Sequence, residues 1–424
     1  MESQKLLEGY REWGVFFALC LILFCVNLFL EYKNFRVLTE RKFFDIEAVV
    51  VNQTQKTNKR GALYWVLRLS GGAYGTFYTS TYEDIIPIVN KRVRLVLITD
   101  NITFVDFLRG FYAPSFNIAL TPADKNGGRL YDKAVAYLAD QHEDGYMREL
   151  FPAIFLAAPQ SAELRLSVTK YAAAHMIALS GFHLAILSLL LGVVAGLPYH
   201  ALQARFFPYR NSFVDLGVLS LVLLGFYLVF TGVVPSLLRA YVMFAFGFFL
   251  VIRHLELISF QTLLVVAAAI VALNPPIVLN VGFLLSVSGV FYIYLFLRYF
   301  SRLSKIAAAA VICFYVFFAM LPIVHFFFPI SAHSQLLSPL LTLLYSPFFI
   351  AELLLHLLHV GALLDPFLIA AINLKVPVWE VSPPFWLLAF YVVLSVAAVF
   401  HRAIHYLLML FIAGWGVYQY VIAC

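Results

Sequence analysis

The stretch HMIALSGFHLAILSLLLGVV, residues 175–194, decides how the rest of the chain is read. Residues 176–197 contain no Asp, Glu, Lys or Arg. About 20 apolar residues in succession are enough for a helix to cross a bilayer, so this run reads as a membrane span that carries one histidine and two serines, with His175 just before it. Similar runs follow almost without pause, at 213–230, 236–252, 257–273, 277–297, 306–328, 336–358, 385–400 and 403–422. The run 363–373 is too short to cross alone, and the sequence leaves open whether 359–384 crosses or folds back.

Composition agrees. The 424 residues are 62% hydrophobic, 17% aromatic and 12% charged, where a soluble protein carries roughly 25% charged residues. With a mean hydropathy of +0.88, an ordinary soluble enzyme, a disordered chain and a fibrous one are all excluded. Of the 52 charged residues, 38 precede residue 176, which leaves 14 for the last 249. The chain therefore has an aqueous front and an embedded rear. The net charge of +6 fits basic cytoplasmic loops without invoking an acidic ligand. Cys20, Cys25, Cys313 and Cys424 form no CxxC pair and no disulfide framework.

Prolines 235, 275, 276, 322, 329, 339 and 347 interrupt the spans. Irregular backbone survives at membrane depth only when it is buried in protein or lines a watery cavity, so these breaks point to a lumen. Arg205, Arg210, Arg253, Arg298, Arg302 and Lys305 lie in alternate loops, and the intervening loops 231–235, 274–276 and 329–335 hold no Lys or Arg. The positive-inside rule makes the first set cytoplasmic, with the N-terminus cytoplasmic and residues 31–175 extracytoplasmic.

Four regions follow. Residues 1–30 hold the apolar run 15–30, which lacks a small-residue cleavage site and reads as an uncleaved anchor. Residues 31–120 alternate with period two at 43–51, 63–70, 76–79 and 92–99, separated by the turns NQTQKTNKRG and SGGAYG, which predicts a small, barrel-like β domain. Residues 121–174 switch to helical spacing at Leu130, Ala134, Tyr137 and Leu138, then at Met147, Leu150, Phe151, Ile154 and Phe155. These amphipathic helices suit a membrane surface or the underside of the β domain. Residues 175–424 form the multi-span region.

The opening stretch resembles the signature of the ComEC family, the inner-membrane DNA-uptake channels of natural competence, whose pattern H-L-L-A-I-S-G-L-H-V stands here as His175 to Leu184. Three further blocks are similar, in order. TGVVPSLLRAYVM (231–243) keeps Thr231, Gly232, Ser236, Arg239, Ala240 and Met243. NPPIVLNVGFLLSVSGV (274–290) keeps Asn274, Pro275, Gly282, Phe283 and Ser286, with Val278 in place of a Leu. LPIVHFFFPISAHSQLLSPL (321–340) resembles the block in which Leu-Pro precedes an aromatic, Ser-bearing turn. Two departures stand out: a customary Gly is Ala172, and an expected Asn is Thr342, with Pro347 retained. The resemblance implies a polytopic α-helical membrane protein of the cell inner membrane with an extracytoplasmic OB-like β domain and amphipathic helices. It implies a channel for single-stranded DNA in transformation, not an enzyme. The partners it implies are a periplasmic DNA-binding competence protein and a separate nuclease, with membrane lipid around the spans; homo-oligomerisation stays open. Larger members add a metallo-β-lactamase-like domain; this sequence has no HxHxDH motif, and nuclease activity is not carried over.

The residues themselves admit several chemistries. His175, Ser180 and His183 could line a conduction path, close a buried hydrogen-bond network, or supply a nucleophile and base within one helical turn, although no third residue orients the imidazole. Gly181 would allow a close helix or strand approach. Arg239 follows the Pro235 break by one turn, where amides and a guanidinium would receive phosphate, unless it snorkels to a carbonyl. Glu352, His356 and His359 recur at i, i+4 and i+7 on one helix face, but a fourth ligand is missing, so a polar lumen face or helix-packing hydrogen bonds are preferred to a metal. Lys56, Lys59, Arg60, Lys91, Arg92 and Arg94 are candidates for DNA contact, since residues 31–120 hold 12 basic against 8 acidic residues, interleaved with Tyr64, Trp65, Tyr74, Phe77 and Tyr78. Core packing explains the same aromatics. No P-loop, metal motif or cofactor signature is present, so no cofactor is expected. The rival reading is a secondary transporter of a small anion or lipid precursor, for which inverted repeats are expected and none is evident.

Overall fold

The computed structural model describes residues 9–58, 61–83, 88, 91–100, 102–121, 130–256 and 258–423. Two compact units emerge, one from Leu7–Ala134 and Leu264–Phe283, the other chiefly from Val135–Leu263 and Leu284–Cys424.

In the first unit the helix Tyr10–Thr39 is about 45 Å long at 1.5 Å per residue, more than a bilayer core requires. Asn27, the polar residue midway along it, donates from Nδ2 to the Ala272 carbonyl at 2.9 Å. The strands follow as β1 Phe43–Thr57, β2 Leu63–Ser70, β3 Thr76–Thr81, β4 Arg92–Ile98, β5 Phe111–Tyr112 and β6 Ser115–Leu120, in the order β5-β3-β2-β1-β4-β6. Period-two alternation sends Ile46, Ala48, Val50, Leu67, Leu69, Phe77, Val93, Leu95 and Leu97 into one buried core, joined by Leu38 from the end of the long helix. The consecutive strands β5 and β6 pair with opposite edges of the sheet, β5 with β3 and β6 with β4. Thr79 Oγ1 donates to Ser115 Oγ at 2.7 Å between those edges, so the sheet closes on itself.

Two sequence expectations change here. Part of the supposed turn 52–61 is strand, because β1 continues to Thr57 and the reversal tightens around Asn58, which accepts from Ala62 N–H at 3.0 Å. The helix Phe104–Arg109 and the strands β5 and β6 carry no clear alternation and were not expected; Thr103 caps that helix through the Asp106 N–H.

In the second unit the helices Gly145–Leu156 and Ala162–Thr169 precede the apolar series. Every residue from Leu150 to Leu156 is buried, so the first of these is a core element of its own unit and not a surface-lying amphipath. The longest apolar helices are Gly181–Phe206, Ser212–Phe230, Pro235–Ile252, Val281–Tyr299, Lys305–Phe327, His333–Leu357 and Arg402–Ile422; with Tyr10–Thr39 they make eight, among the described residues, long and apolar enough to cross a membrane. The chain is a multi-pass membrane protein.

Two expected spans come out shorter. The run 257–273 forms the helix Phe260–Leu273, because Ser259 Oγ caps it through the Thr262 N–H and Pro275 and Pro276 stop it. At 14 residues it reaches about 21 Å, less than a bilayer core. The run 385–400 forms only Phe385–Ala397, after Pro383 and Pro384. The segment 359–384 folds back: the helix Asp365–Asn373 is 9 residues long, and β7 Ile330–Ser331 pairs with β8 Trp379–Glu380.

A deletion in the barrel core tests this packing. Phe77 is fully buried and stacks on Phe111 at 5.6 Å, so Phe77→Ala is expected to cost about 3–5 kcal/mol, measured as a lowered unfolding midpoint; an unchanged midpoint would contradict the assigned core.

Candidate functional site

The site begins at a break in the backbone. The helix Ala162–Thr169 ends at Lys170, and Ala172 adopts φ +50, the left-handed region that favours glycine. The fold therefore explains the customary Gly at this position. The Ala172 carbonyl, turned out of any helix, accepts from His175 Nδ1 at 2.8 Å and from Ser338 Oγ at 3.3 Å. His175 Nε2 lies 3.3 Å from Thr342 Oγ1, so the Thr that replaces an Asn still offers this ring a polar neighbour.

A second non-helical link separates Ala174–Ile177 from Gly181–Phe206. Ser180 is the N-cap of the long helix, and its backbone N–H donates to His183 Nδ1 at 3.2 Å, with Ser180 Oγ also 3.2 Å from that nitrogen. A neutral ring that accepts at Nδ1 carries its hydrogen on Nε2, which lies 2.6 Å from Tyr345 Oη. His183, fully buried, thus does the work of a capping-box acid at the third helical position. The Ser180–His183 pair lacks the orienting carboxylate of a hydrolase, because the far nitrogen meets a phenol.

Thr342, Tyr345, Phe349, Glu352 and His356 are spaced by three and four along the helix Ser338–Leu357 and form one face. The upper part meets His175 and His183. Phe349 lies 5.4 Å from His183 and 5.1 Å from Phe155, and Phe155 lies 5.5 Å from His356. At the lower end His356 Nε2 is 3.0 Å from His142 Nε2, and His142 Nδ1 is 2.9 Å from Asp365. His359, expected on the same face, leaves the helix at φ +60 and packs its ring against Tyr137 at 4.9 Å. Among the described residues no group of three or more His, Cys, Asp or Glu is arranged to hold a metal.

The second motif makes a sharp turn. Thr231 donates to the Tyr227 and Leu228 carbonyls, both at 3.1 Å. Gly232 and Val233 then take φ +82 and +55 before Pro235 opens the next helix. Ser236 and Arg239 follow in its first turns, and the half-buried Arg239 has a buried Nε with no hydrogen-bond partner among the described residues. A Cβ on Gly181 would stand 3.8 Å from Ala240 Cβ, which is ordinary contact. The helices meet there, but the meeting does not require glycine.

The remaining candidates sit elsewhere. Asn274, Pro275, Gly282 and Phe283 belong to the first unit, with Phe283 buried, and Ser286 to the second. On the barrel, Arg92 and Arg94 point outward from β4, and Lys56 is exposed near the end of β1. Lys91 is half-buried just before β4. Lys59 and Arg60 lie outside the described residues. Arg94 bonds both Asp45 oxygens through Nε at 3.0 Å and stands opposite Glu47, so its charge is compensated, and its hydrogen bond holds the Asp45 carboxyl below the usual range. Of the interleaved aromatics, Phe77 is core, Trp65 is on the core-facing side of β2, and Tyr74 packs on Phe44 at 5.0 Å. Only Tyr64 and Tyr78 face out, Tyr78 beneath the Arg68 guanidinium at 5.9 Å.

Sequence reasoning missed His142, Tyr345 and Asp365. Tyr345 was legible, being three residues after Thr342 on the same face; His142 and Asp365 are 223 positions apart and no local spacing links them.

A family model described as "Competence protein" matches residues 160–423. No curated protein and no solved structure matches the chain.

Three substitutions test the geometry. Ala172→Gly is expected to stabilise the protein by about 1 kcal/mol by relieving the left-handed strain, seen as a higher unfolding midpoint. His183→Leu removes the cap and strands Tyr345, with an expected loss of about 2 kcal/mol, whereas Ser180→Ala keeps the backbone donor and is expected to leave the midpoint near wild type; an equal loss in both variants would contradict the backbone cap.

Proposed function

Because the chain belongs to the competence protein family, we propose that it is a channel conducting one strand of external DNA across the cytoplasmic membrane during natural transformation. The observation that carries this reading is Arg239. A guanidinium half-buried in a membrane-length helix, its Nε without a partner among the described residues, is a costly group to retain unless a counter-charge visits it. A nucleic-acid strand brings one phosphate per nucleotide, and a guanidinium is suited to exchange water for phosphate oxygens.

The two backbone breaks support the same role. At 178–180 and at 231–235 the chain leaves helical geometry within the apolar series, and such backbone at membrane depth implies protein burial or a wet lumen. His175, Ser180, Gly181, His183, Thr231, Gly232, Ser236 and Arg239 would border the path; Asn274, Pro275, Gly282, Phe283 and Ser286 are candidates from their motif block alone. The closed sheet of residues 43–120 supports an OB-like, extracytoplasmic β domain, since small barrels of that kind commonly bind single strands. On it Lys56, Lys91 and Arg92 are the candidates for phosphate contact; Arg94 is a weaker one, given its acidic neighbours. A periplasmic DNA-binding competence protein would deliver the strand. The proposed topology places the N-terminus in the cytoplasm and residues 31–175 outside.

Arg239→Glu is expected to reduce transformation by at least about tenfold, a factor worth about 1.4 kcal/mol, at an unchanged protein level in the membrane. Arg239→Lys, which keeps the charge, is expected to retain part of the activity. Wild-type transformation by the Glu variant would remove Arg239 from the path.

A further inference from the structure

The lower end of the helix face contains a group of titratable side chains that conduction does not use. His142 sits in the turn between Leu130–Ala139 and Gly145–Leu156, His356 in the last turn of Ser338–Leu357, and Asp365 at the start of Asp365–Asn373. Each is at most 7% exposed. The His142 ring stacks on Phe151 at 4.5 Å and 8°, and His356 lies 4.6 Å from the same phenyl ring. The contacts within the group are direct, at 2.9–3.0 Å, so each needs a hydrogen from one of its own members.

His356 Nδ1 is 2.7 Å from the Glu352 carbonyl, which accepts only, so this nitrogen carries a hydrogen. In a neutral His356 ring, Nε2 is then a bare acceptor. Across from it at 3.0 Å is His142 Nε2, and two bare nitrogens at that distance would repel. His142 Nε2 must therefore donate. Its Nδ1, 2.9 and 3.0 Å from the two Asp365 oxygens, needs a second hydrogen, either on the nitrogen or on the carboxyl. Moving the bridging hydrogen onto His356 changes its position and not the count. In every arrangement that satisfies the contacts, Asp365, His142 and His356 together hold one proton more than a carboxylate and two neutral imidazoles.

We propose that these three residues form a binding site for a single exchangeable proton, whose occupancy fastens the helix Asp365–Asn373 to the end of the helix Ser338–Leu357. Loss of the proton leaves two lone pairs facing each other at His142 and His356, or an unbonded, buried Asp365 carboxylate, and the contact opens. The connection between the helices is suited to respond. It passes through His359 at φ +60 and a short 3-10 turn, Gly361–Leu364, and Gly361 is packed so closely that a Cβ would meet His356 and Gln141 at 2.9 Å. Gln141 bridges it, accepting from Gly361 N–H at 3.1 Å and donating to the His356 carbonyl at 3.1 Å. The other titratable groups facing the site are Glu352, whose Oε2 lies 3.4 Å from His356 Nδ1, Tyr137, whose hydroxyl donates to the His356 carbonyl at 2.7 Å, and His359 behind Tyr137. Asp140 and Arg148 pair with each other on the exposed side of the turn. The inference is independent of what the spans conduct.

The test uses the full-length chain in lipid nanodiscs, with hydrogen exchange of residues 358–373 corrected for intrinsic rate, and nitrogen spectra of labelled histidine, from about pH 5 to about pH 9, around the ordinary histidine range. A proton-fastened contact is most stable when the site is loaded, so protection is expected to fall at least tenfold as pH rises, in one step shared with His142 and His356. Asp365→Asn, which withdraws the negative partner, is expected to move that step to lower pH. A wild-type protection curve that is flat across the range overturns the proposal, whether or not the variant folds, as does a step that Asp365→Asn leaves in place.

Discussion

One face of the helix Ser338–Leu357 organises the second unit. Its residues alternate between polar and aromatic at helical spacing, and each meets a segment distant in sequence: His175 at Thr342, His183 at Tyr345, Phe155 at Phe349 and His142 at His356. A histidine buried without a partner is costly, since its ring nitrogens must be satisfied inside the protein. The contacts at Tyr345 and at His356 supply such partners to the buried His183 and His142. The irregular segments around Ala172 and Ser180 are held in place by that constraint, with Ser338 and Thr342 at one end and Tyr345 in the middle.

The same contacts explain why apolar composition alone does not define the structure. Between lipid-facing helices there is little hydrophobic preference for one partner over another, and packing and interhelical hydrogen bonds decide the arrangement. Tyr391 Oη donating to the Ala319 carbonyl at 2.6 Å and Tyr299 Oη to the Ala398 carbonyl at 2.6 Å do this in the cluster formed by Val281–Tyr299, Lys305–Phe327, Phe385–Ala397 and Arg402–Val417. Gly217 does it by absence, since a Cβ there would overlap the Phe248 ring.

Much of the fold could be read from the sequence because its signals are local. Alternation placed β2 over 63–70, and uninterrupted apolar runs placed most of the spans. What failed were features fixed by pairings over distance or by caps. The helix Phe260–Leu273 is shortened by Ser259 and by a Pro-Pro pair, and β5 and β6 are strands only because two edges of a closing sheet accept them. In the candidate site the histidines and Arg239 were visible as costly groups in an apolar context. The use of His183 as a helix cap, the neutralisation of Arg94 by Asp45, and the joining of His142 to Asp365 depend on three-dimensional neighbours that no spacing rule contains.

The central claim is that this chain provides the route by which DNA enters the cell. The most direct measurement follows strand-labelled DNA into a transformable host from which only this gene has been deleted, with the intact gene restored in parallel. The account expects label to stop outside the cytoplasmic membrane in the deletion strain and to enter as a protected single strand on restoration. Protected single strands in the cytoplasm of the deletion strain would contradict it.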